Sequence, residues 1–556
     1  MTDMRRTLLW VVFTMSLVLL WDAWNKHNGQ PSMFGSSAPK VAAAGSAPGA
    51  IPVPPAALPA SGVAAPTAPV PSAPAQAAVA SEKVTISTDV VKATLDTLGG
   101  SLVRVELLKH DDVSDPSGHV VILDTNAQHV YKAETGLTGV AGAPTHLSLM
   151  TLVPGDHELR TGADTLSVRF ESAVMAGLKL VKTYTFKRGD YAIDVKHEVV
   201  NESSASLSPQ LYVQLVRDSS AGPGQSSFYS TFTGPAVYTD KSKFHKITFA
   251  DIDKGKAEFD PRANDGWVAM VQHYFVSAWL RNAPGDRGFH VNAVPGTTPH
   301  EYAAGLVFPM GQIEPGKSAS ADDTLYVGPQ EENKLAALAP GLELVKDYGW
   351  LTILSKPLFW LLDHLHKLIG NWGWAIVSLV VLLKIAFYWL NASAYRSMAK
   401  MKAVNPKVME MRARLKDKPQ EMQQEMMRIY REEKVNPLGG CLPIFAQMPF
   451  FIALYWVLLS TVEMRHAPWL GWIVDLSARD PYFILPVLMT ATSLFQVWLN
   501  PTPPDPMQAK MAWMMPLIFS VMFFFFPAGL VLYWLTNNIL SITQQWIINK
   551  QLGVHK

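Results

Sequence analysis

The sequence predicts a polytopic α-helical membrane protein with a five-helix core, an N-terminal anchor helix and a large all-β sandwich domain outside the bilayer. Hydrophobic residues make up 49% of the 556 residues and charged residues only 17%, a balance typical of membrane proteins. One apolar run lies near the N-terminus, and five more follow residue 370. Between them, residues 82–330 alternate polar and apolar side chains with a period of two, as the strands of an antiparallel sandwich do.

The N-terminal segment predicts a membrane anchor followed by a tether. Arg5 and Arg6 precede the apolar run 8–21, and no small-residue cleavage site follows it, so we expect residues 1–27 to form an uncleaved transmembrane helix with a cytoplasmic N-terminus. Residues 28–80 are rich in Ala and Pro. Such a segment cannot bury enough side chain to offset its ordering entropy, which predicts a disordered linker.

Residues 81–335 are predicted to form the soluble β-sandwich. Turn formers separate its short alternating runs, and its histidines show neither metal-ligand spacing nor an HExxH motif. The single cysteine, Cys441, excludes an intrachain disulfide framework and a cysteine-cluster metal site. We therefore expect no metal and no cofactor. Sandwiches of this size often bind or act on sugars, and carboxylate pairs on strands do not identify a glycosidase without geometry.

Residues 342–370 are predicted to form an amphipathic helix along the membrane surface, on the same side as the sandwich. Its charges prevent it from spanning a bilayer. A helix packed on the sandwich is the alternative. One helical face is expected to carry Leu358, Leu361, Leu362, Leu365, Leu368 and Ile369.

Residues 371–395 are predicted to form a transmembrane helix with Lys384 near its middle. A lysine at that depth costs about 2.5–3.5 kcal/mol, so it should face protein, water or a ligand rather than lipid. The four later apolar runs contain no Asp or Glu at membrane depth; they are 442–462, 483–499, 511–526 and 528–548. We therefore expect Lys384 to stand in a watered cavity that is open to something from outside the protein.

Residues 396–437 carry eleven Lys or Arg against six Asp or Glu, which by the positive-inside rule predicts a cytoplasmic loop. A break at 417–419 indicates a helical hairpin. Methionine is deformable and suits a surface that meets many apolar partners. On that interpretation the hairpin contacts nascent chains; the alternative is that it simply joins two helices. The residues concerned are Met398, Met401, Met411, Met422 and Met426.

The remaining runs complete the topology. Residues 438–548 are predicted to hold transmembrane helices 3 to 6, and residues 549–556 a short cytoplasmic tail, so both termini are cytoplasmic. Tyr388, Asn391 and Tyr395 follow Lys384 at i+4, i+7 and i+11, which predicts one polar helix face. Gln447, Gln496 and Asn537 are among the polar residues at matching depth in the other runs. They either line the same groove or form interhelical hydrogen bonds.

Several motifs in the same order closely resemble the bacterial branch of the YidC/Oxa/Alb family of membrane-protein insertases. The resemblance implies a hydrophilic groove open to cytoplasm and lipid, whose signature cation is usually arginine and falls here on Lys384; it adds Gln496 and Trp534 to the groove. The matching stretches are Gly370-Asn-Trp-Gly373, Ser397-Met-Ala-Lys-Met401, Glu433-Lys-Val-Asn-Pro-Leu-Gly-Gly-Cys441, Gln447-Met-Pro449, Asp505-Pro-Met507 and Gly529-Leu-Val-Leu-Tyr533.

The resemblance also implies a function. Such a protein inserts and folds integral proteins of the bacterial inner membrane, alone or with the Sec translocon, and its large domain lies in the periplasm. The implied partners are nascent membrane proteins, the Sec translocon, the ribosome and signal-recognition machinery, and membrane lipids. The formal net charge of +1 gives no global basic field for nucleic acid, and we expect no enzymatic activity.

Two other functions compete with this interpretation. A lysine inside a membrane often marks an ion path, as in a secondary transporter or channel. That alternative predicts inverted repeats, and the two halves of the membrane region show no internal symmetry. The second alternative is an anchored envelope enzyme that acts on glycans, for which five spans and a cationic hairpin exceed what an anchor needs.

Overall fold

The computed structural model describes residues 81–112, 118–126, 128–222, 231–415, 418–433, 442–500 and 506–551. The predicted anchor (1–27) and linker (28–80) lie outside this part of the chain, as do residues 552–556 of the predicted tail. The described residues divide into two compact units, a β unit that ends at Val345 and a helical unit that begins at Lys346.

The β unit consists of two nine-stranded antiparallel sheets. The strand order is β1-β2-β3-β4-β5-β10-β17-β16-β13 in the first and β12-β11-β14-β15-β18-β9-β8-β7-β6 in the second. The strands are β1 Lys83–Ser87, β2 Val91–Asp96, β3 Ser101–Asp111, β4 His119–Thr125, β5 Val130–Thr138, β6 Met150–Leu152, β7 Thr165–Ser172, β8 Leu178–Lys187, β9 Ala192–Asn201, β10 Gln210–Asp218, β11 Gly234–Thr239, β12 Lys243–Lys246, β13 Arg262–Ala263, β14 Trp267–Val271, β15 Phe275–Leu280, β16 Arg287–Val294, β17 Glu301–Pro309 and β18 Ser318–Pro329.

Burial along several strands alternates with the predicted period of two residues. Along β7 exposed and buried residues alternate, since one face meets the core and the other meets solvent. Strand β10, which lies between β5 and β17, is buried almost throughout. The prediction of an all-β sandwich with two sheets is confirmed. The described part of the unit also contains two short α-helices, α1 Phe249–Asp253 and α2 Glu332–Leu338, and a 3-10 helix at Leu342–Val345.

The helical unit contains eight further α-helices in its described part. The motif Gly370-Asn371 separates the first two. Gly370 ends one helix in a left-handed conformation (φ 77°), and the Asn371 side chain caps the next by accepting from the Trp374 N–H. The helices are α3 Thr352–Ile369, α4 Trp372–Ala386, α5 Tyr388–Arg414, α6 Pro419–Glu432, α7 Leu442–Ser460, α8 Ile484–Leu499, α9 Pro506–Phe523 and α10 Ala528–Gln551.

The described helices of this unit are short, insufficiently apolar or bent relative to a membrane span. Within the described residues, no helix taken singly is long and apolar enough; α4 and α5 meet the requirement only together, as a pair bent by 68°. Three shorter apolar helices span Gln447–Ser460, Ile484–Leu499 and Ala509–Phe523.

The prediction of one continuous helix over 371–395 was wrong. Helix α4 ends at Ala386 and α5 begins at Tyr388, because Phe387 between them leaves the α-helical region (φ −94°, ψ 11°). The Phe387 ring packs edge-on against Phe450 at the break, with 5.0 Å between ring centroids. Helix α5 then runs without interruption into the predicted hairpin, whose first arm therefore begins before residue 396.

The predicted apolar face of the amphipathic helix is corrected in part. Leu358 and Leu362 of α3 are buried in the core of the helical unit, and Leu361 and Leu365 pack against that core. Leu368 is 84% exposed. It follows Leu362 by six residues, which places it about 120° round the helix at about 100° per residue.

Candidate functional site

A small pocket with a few polar side chains lies around Lys384, the lysine predicted within a membrane run. The space within it that water can occupy is about 20 Å³, and most of its wall is apolar. Helices α4, α7 and α10 supply most of that wall, and Phe387 adds its ring at the break. The lining residues are Val380, Leu383, Lys384, Phe387, Gln447, Phe450, Phe451, Tyr533 and Asn537.

Lys384 is partly buried in this pocket and reaches a hydroxyl on α10. Its Nζ donates to Ser541 Oγ at 2.7 Å, and Ser541 Oγ donates to the Asn537 carbonyl, also at 2.7 Å. No Asp or Glu of the described residues forms an ion pair with Lys384. The ammonium is therefore held by a neutral hydroxyl, and no carboxylate of the described residues balances its charge.

Two amide side chains meet beside the lysine. Gln447 of α7 lines the pocket and its Nε2 donates to Asn391 Oδ1 of α5. Both side chains are nearly fully buried, and Asn391 Nδ2 has no hydrogen-bond partner among the described residues. Asn391 thus belongs to an interhelical hydrogen bond, while Gln447 takes part in that bond and also faces the pocket.

Three other predicted groove residues do not line this pocket. Tyr388 begins the helix after the break and is 49% exposed. Gln496 lies on α8 between Ser493 and Asn500, whose side chains accept hydrogen bonds from Asn538 and Gln545 of α10. The Trp534 ring packs among apolar rings, 5.9 Å from that of Phe451 and 5.3 Å from that of Phe523. Because of the break and the packing of these helices, the structure gathers a smaller site than the sequence predicted.

Comparison with known proteins identifies the family. Residues 83–361 match the family described as YidC periplasmic domain, and residues 364–555 match the one described as 60Kd inner membrane protein. The chain is 53% identical over 574 residues to the membrane protein insertase YidC of Cupriavidus metallidurans (100% of this chain, 99% of the relative). The chain belongs to the YidC family of membrane protein insertases. The family resemblance read from the motifs is confirmed.

A second relative and one solved structure also match. The membrane protein insertase YidC of Janthinobacterium sp. is 51% identical over 569 residues, covering 99% of this chain and 100% of the relative. A solved structure titled as an active YidC insertase with its first transmembrane domain resolved matches with a TM-score of 0.38 and 16% identity. It covers 86% of this chain and 94% of its own.

The hairpin methionines mostly face the interior of the hairpin. Val404, Val408 and Met411 form its small core. Met401, Met422 and Met426 pack against that core, so these three and Met411 hold α5 and α6 together rather than presenting a free surface. Met398 is partly buried. The exposed methionines are Met409 (53%) and Met427 (49%). The packing favours the alternative in which the predicted contact residues join the two helices.

A second polar cluster is buried on the first sheet of the β unit. His290 Nε2 lies 3.2 Å from Gln214 Oε1, and Gln214 Nε2 donates to Glu134 at 2.9 Å. Burial alone would raise the pKa of Glu134, but His146 and Lys132 outweigh it and lower that pKa to about 2. Burial lowers the pKa of His290 to about 4. The cluster is a hydrogen-bonded part of the sandwich interior; nowhere in the described chain do three His, Cys, Asp or Glu side chains group as metal ligands would.

Ser541 is the site residue that the sequence analysis missed. Its partner on α4, Lys384, lies 157 residues away in sequence, and the Tyr395 side chain of α5 also reaches its hydroxyl. The spacing on α10 nevertheless carries a signal, since Asn537, Ser541 and Gln544 follow at i, i+4 and i+7 and so share one helix face. Gln544 Nε2 donates to the Tyr388 carbonyl at 3.2 Å, just past the break.

Proposed function

We propose that this chain inserts membrane proteins by holding the polar part of a client in the Lys384 pocket while the client's apolar segment enters lipid. Membership of an insertase family gives the activity, and the pocket gives the route. The observation that carries the route is the ammonium of Lys384, which bonds a single neutral hydroxyl and has no carboxylate partner in the described residues.

The energetic problem of insertion explains why such a pocket helps. A client must carry a polar tail across the bilayer, and hydrocarbon offers no partners for its amides or charges. A cationic, partly wet pocket halfway down shortens that barrier and attracts acidic residues of the tail. The apolar segment then partitions into lipid, which is favourable by about 25 cal/mol for each Å² removed from water. We therefore expect acidic tails to depend most on Lys384.

The driving force follows from the same physics. The sequence contains no Walker-type nucleotide motif, so we infer a passive insertase that uses hydrophobic partitioning. For acidic tails the membrane potential adds about 2.3 kcal/mol per charge at 100 mV. Insertion on this route needs no covalent chemistry, so we propose no enzymatic role for the helical unit.

The proposed topology places the parts of the chain on two sides of the inner membrane. The β unit lies in the periplasm, and the α5–α6 hairpin and both termini lie in the cytoplasm, in agreement with the cationic loop 396–437. In this arrangement the hairpin faces the ribosome and signal-recognition machinery, and the membrane helices face lipid and the Sec translocon. Clients arrive from the cytoplasmic side.

Charge substitutions at position 384 test the proposal. We expect Lys384→Arg to retain insertion of a small single-span client with an acidic tail, Lys384→Ala to slow it about tenfold, and Lys384→Glu to abolish it, because a carboxylate repels the tail in a low-dielectric pocket. Protease protection of the translocated tail in proteoliposomes measures the rate. Lys400→Glu on the exposed side of α5 is the matched charge control. Full insertion by Lys384→Glu would contradict a requirement for positive charge.

The competing functions make different predictions in the same vesicles. A transporter or channel would carry solute flux that Lys384→Ala abolishes; the relatives described above give this alternative no support. An envelope enzyme would lose its function when most of residues 82–330 is deleted. We expect that deletion to leave insertion largely intact, because the pocket lies wholly within the helical unit.

A further inference from the structure

We propose that Ser541 is a positioning residue for Lys384: it holds the ammonium at one point of the pocket and thereby sets how strongly the site favours acidic over neutral client tails. This inference rests on the proposed function of the pocket. It concerns a residue of α10 that the motifs do not mark.

The hydrogen bonds at Ser541 fix the direction in which its hydroxyl acts. A serine hydroxyl has one proton and two lone pairs. The proton goes to the Asn537 carbonyl at 2.7 Å, so Ser541 Oγ accepts from Lys384 Nζ, also at 2.7 Å; the Tyr395 side chain is the third group that contacts this hydroxyl. Ser541 is 4% exposed, which keeps water from competing for this lone pair. The Ser541 hydroxyl oxygen is thus an acceptor with a fixed orientation towards Lys384.

A lysine needs such an acceptor more than an arginine would. Its ammonium is a point charge on a flexible four-carbon stem, whereas the guanidinium of arginine is a planar fork with fixed donor directions. An ammonium has three donors, and the bond to Ser541 uses one of them. The other two remain for water or for a client, and their directions are set once the first is fixed.

Two other hydroxyls in the same unit, on Ser520 and Thr536, bond only a carbonyl of their own helix among the hydrogen bonds of the described residues. Ser520 is also 4% exposed and its Oγ donates to the Pro516 carbonyl, four residues before it. Thr536 donates to the Leu532 carbonyl at 2.8 Å. Both make the same bond to their own helix as Ser541 does, and neither accepts from a lysine. The contact with Lys384 is what distinguishes Ser541.

The position of Ser541 on α10 adds a geometric reason. Lys384 lies in the last turn of α4, directly before the break at Phe387. One turn further along α10, Gln544 bonds the Tyr388 carbonyl just after the break at 3.2 Å. The same face of α10 therefore holds the chain on both sides of the bend. Ser541 positions the charge, and Gln544 holds the backbone that follows it.

The test uses two single-span clients that differ only in the tail, one with two Asp residues and one with two Asn residues, and full-length protein in proteoliposomes. Ser541→Ala should slow insertion of the Asp-tailed client about fivefold, as loss of one ordinary intramolecular hydrogen bond predicts, and should change the Asn-tailed client less than twofold. Ser541→Thr keeps the hydroxyl and should restore the wild-type ratio. Ser520→Ala, matched in residue type, burial and helix bond, should behave as wild type.

A double variant tests whether Ser541 acts through Lys384. In a Lys384→Met background, Ser541→Ala should have no further effect, because no ammonium remains to be positioned. An equal fivefold loss in both backgrounds, or a loss that Ser541→Thr does not restore, would overturn the positioning role. If Lys384→Met itself leaves the Asp-tailed client unaffected, the proposed function fails; if Lys384→Met slows it and Ser541→Ala does not, only this inference fails.

Discussion

Lys182 of the β unit and Lys384 of the helical unit are held in opposite ways. In the β unit Lys182 is fully buried, and its Nζ donates to the carbonyls of Gly99 at 2.5 Å and Thr135 at 2.7 Å. In the helical unit Lys384 is only partly buried, bonds one hydroxyl and borders a pocket. A lysine whose donors are met by the chain itself serves the fold, whereas one left with free donors beside open space can serve a ligand.

The surroundings of the two lysines extend the contrast. Lys182 sits between the sheets opposite His197 of the neighbouring strand, and burial lowers its pKa to about 7 although Glu134 acts against the shift. Lys346, at the start of the helical unit, is a third buried lysine. It pairs with Glu463 at 3.3 Å and lies 3.9 Å from the centroid of the Phe359 ring. Only Lys384 among these three has neither two carbonyl acceptors nor a carboxylate.

Removal of Lys182 should give the largest loss of stability. Lys182→Met deletes both bonds to the carbonyls, and two buried acceptors that lose a partner cost about 3 kcal/mol of unfolding free energy. Urea unfolding of the full-length protein in detergent, followed by circular dichroism of the β unit, measures it. Lys179→Met on the same strand, where the side chain is 30% exposed, is the control and should cost well under 1 kcal/mol. Equal losses for the two variants would remove the structural role of Lys182.

Acid should destabilise the β unit through its buried histidines. Burial lowers the pKa of His290 to about 4. Between pH 6.5 and 4, His290 therefore binds a proton in the unfolded chain but not in the native state. The stability conferred by neutral His290 is fully present above pH 6.5 and is lost as the pH falls through 4, about 3 kcal/mol in all. Glu134, with its pKa near 2, adds a loss in the same direction below pH 4.5.

Urea midpoints between pH 8 and pH 4 check this prediction. His290→Gln should flatten the slope of stability against pH, even if the variant is less stable at pH 7. His129→Gln replaces a histidine whose side chain is 55% exposed and should leave the slope unchanged. The same steep slope in His290→Gln and in wild type would show that other groups carry the acid dependence.

The hairpin methionines should divide into core and surface positions. Their replacement should change stability less than the loss of Lys182 or the acid titration of His290 does. Met411 is 4% exposed and Met427 is 49% exposed. Met411→Ala should lower the stability of the hairpin by about 2 kcal/mol, and Met427→Ala by less than about 0.5 kcal/mol. Hydrogen exchange of α5 and α6 measures both. If Met427→Ala alone slows insertion, the exposed methionines rather than the predicted ones contact the client.

Much of the fold could be predicted because it depends on local patterns. The apolar run 483–499 anticipates α8 at 484–499, and the run 528–548 anticipates α10 at 528–551. Alternation anticipated the strands, and Gly370-Asn371 marked a helix end and a helix start. These features depend on residues that are close in sequence, so the pattern of a single chain predicts them.

The candidate site was predicted less completely, for physical reasons that specific residues show. The helix breaks at Phe387 without Pro or Gly, where the ring packs against Phe450, a contact that only the tertiary structure supplies. Ser541 meets Lys384 across 157 residues. Met411 and Met422 could face inward or outward by composition alone, and the packing of α5 on α6 decided it. The absence of an acidic partner for Lys384 in the membrane runs could be predicted, because it depends only on which residue types those runs contain.

Chemical labelling of the two contrasted lysines tests the central claim most directly. A water-soluble amine reagent is added to the full-length protein in liposomes, empty or loaded with a stalled acidic-tailed client, and modification of Lys182 and Lys384 is read by mass spectrometry. The account predicts that Lys384 reacts in the empty protein and is protected by the client, while Lys182 stays unmodified in both. A Lys384 as inert as Lys182, or one that reacts equally with and without client, would contradict it.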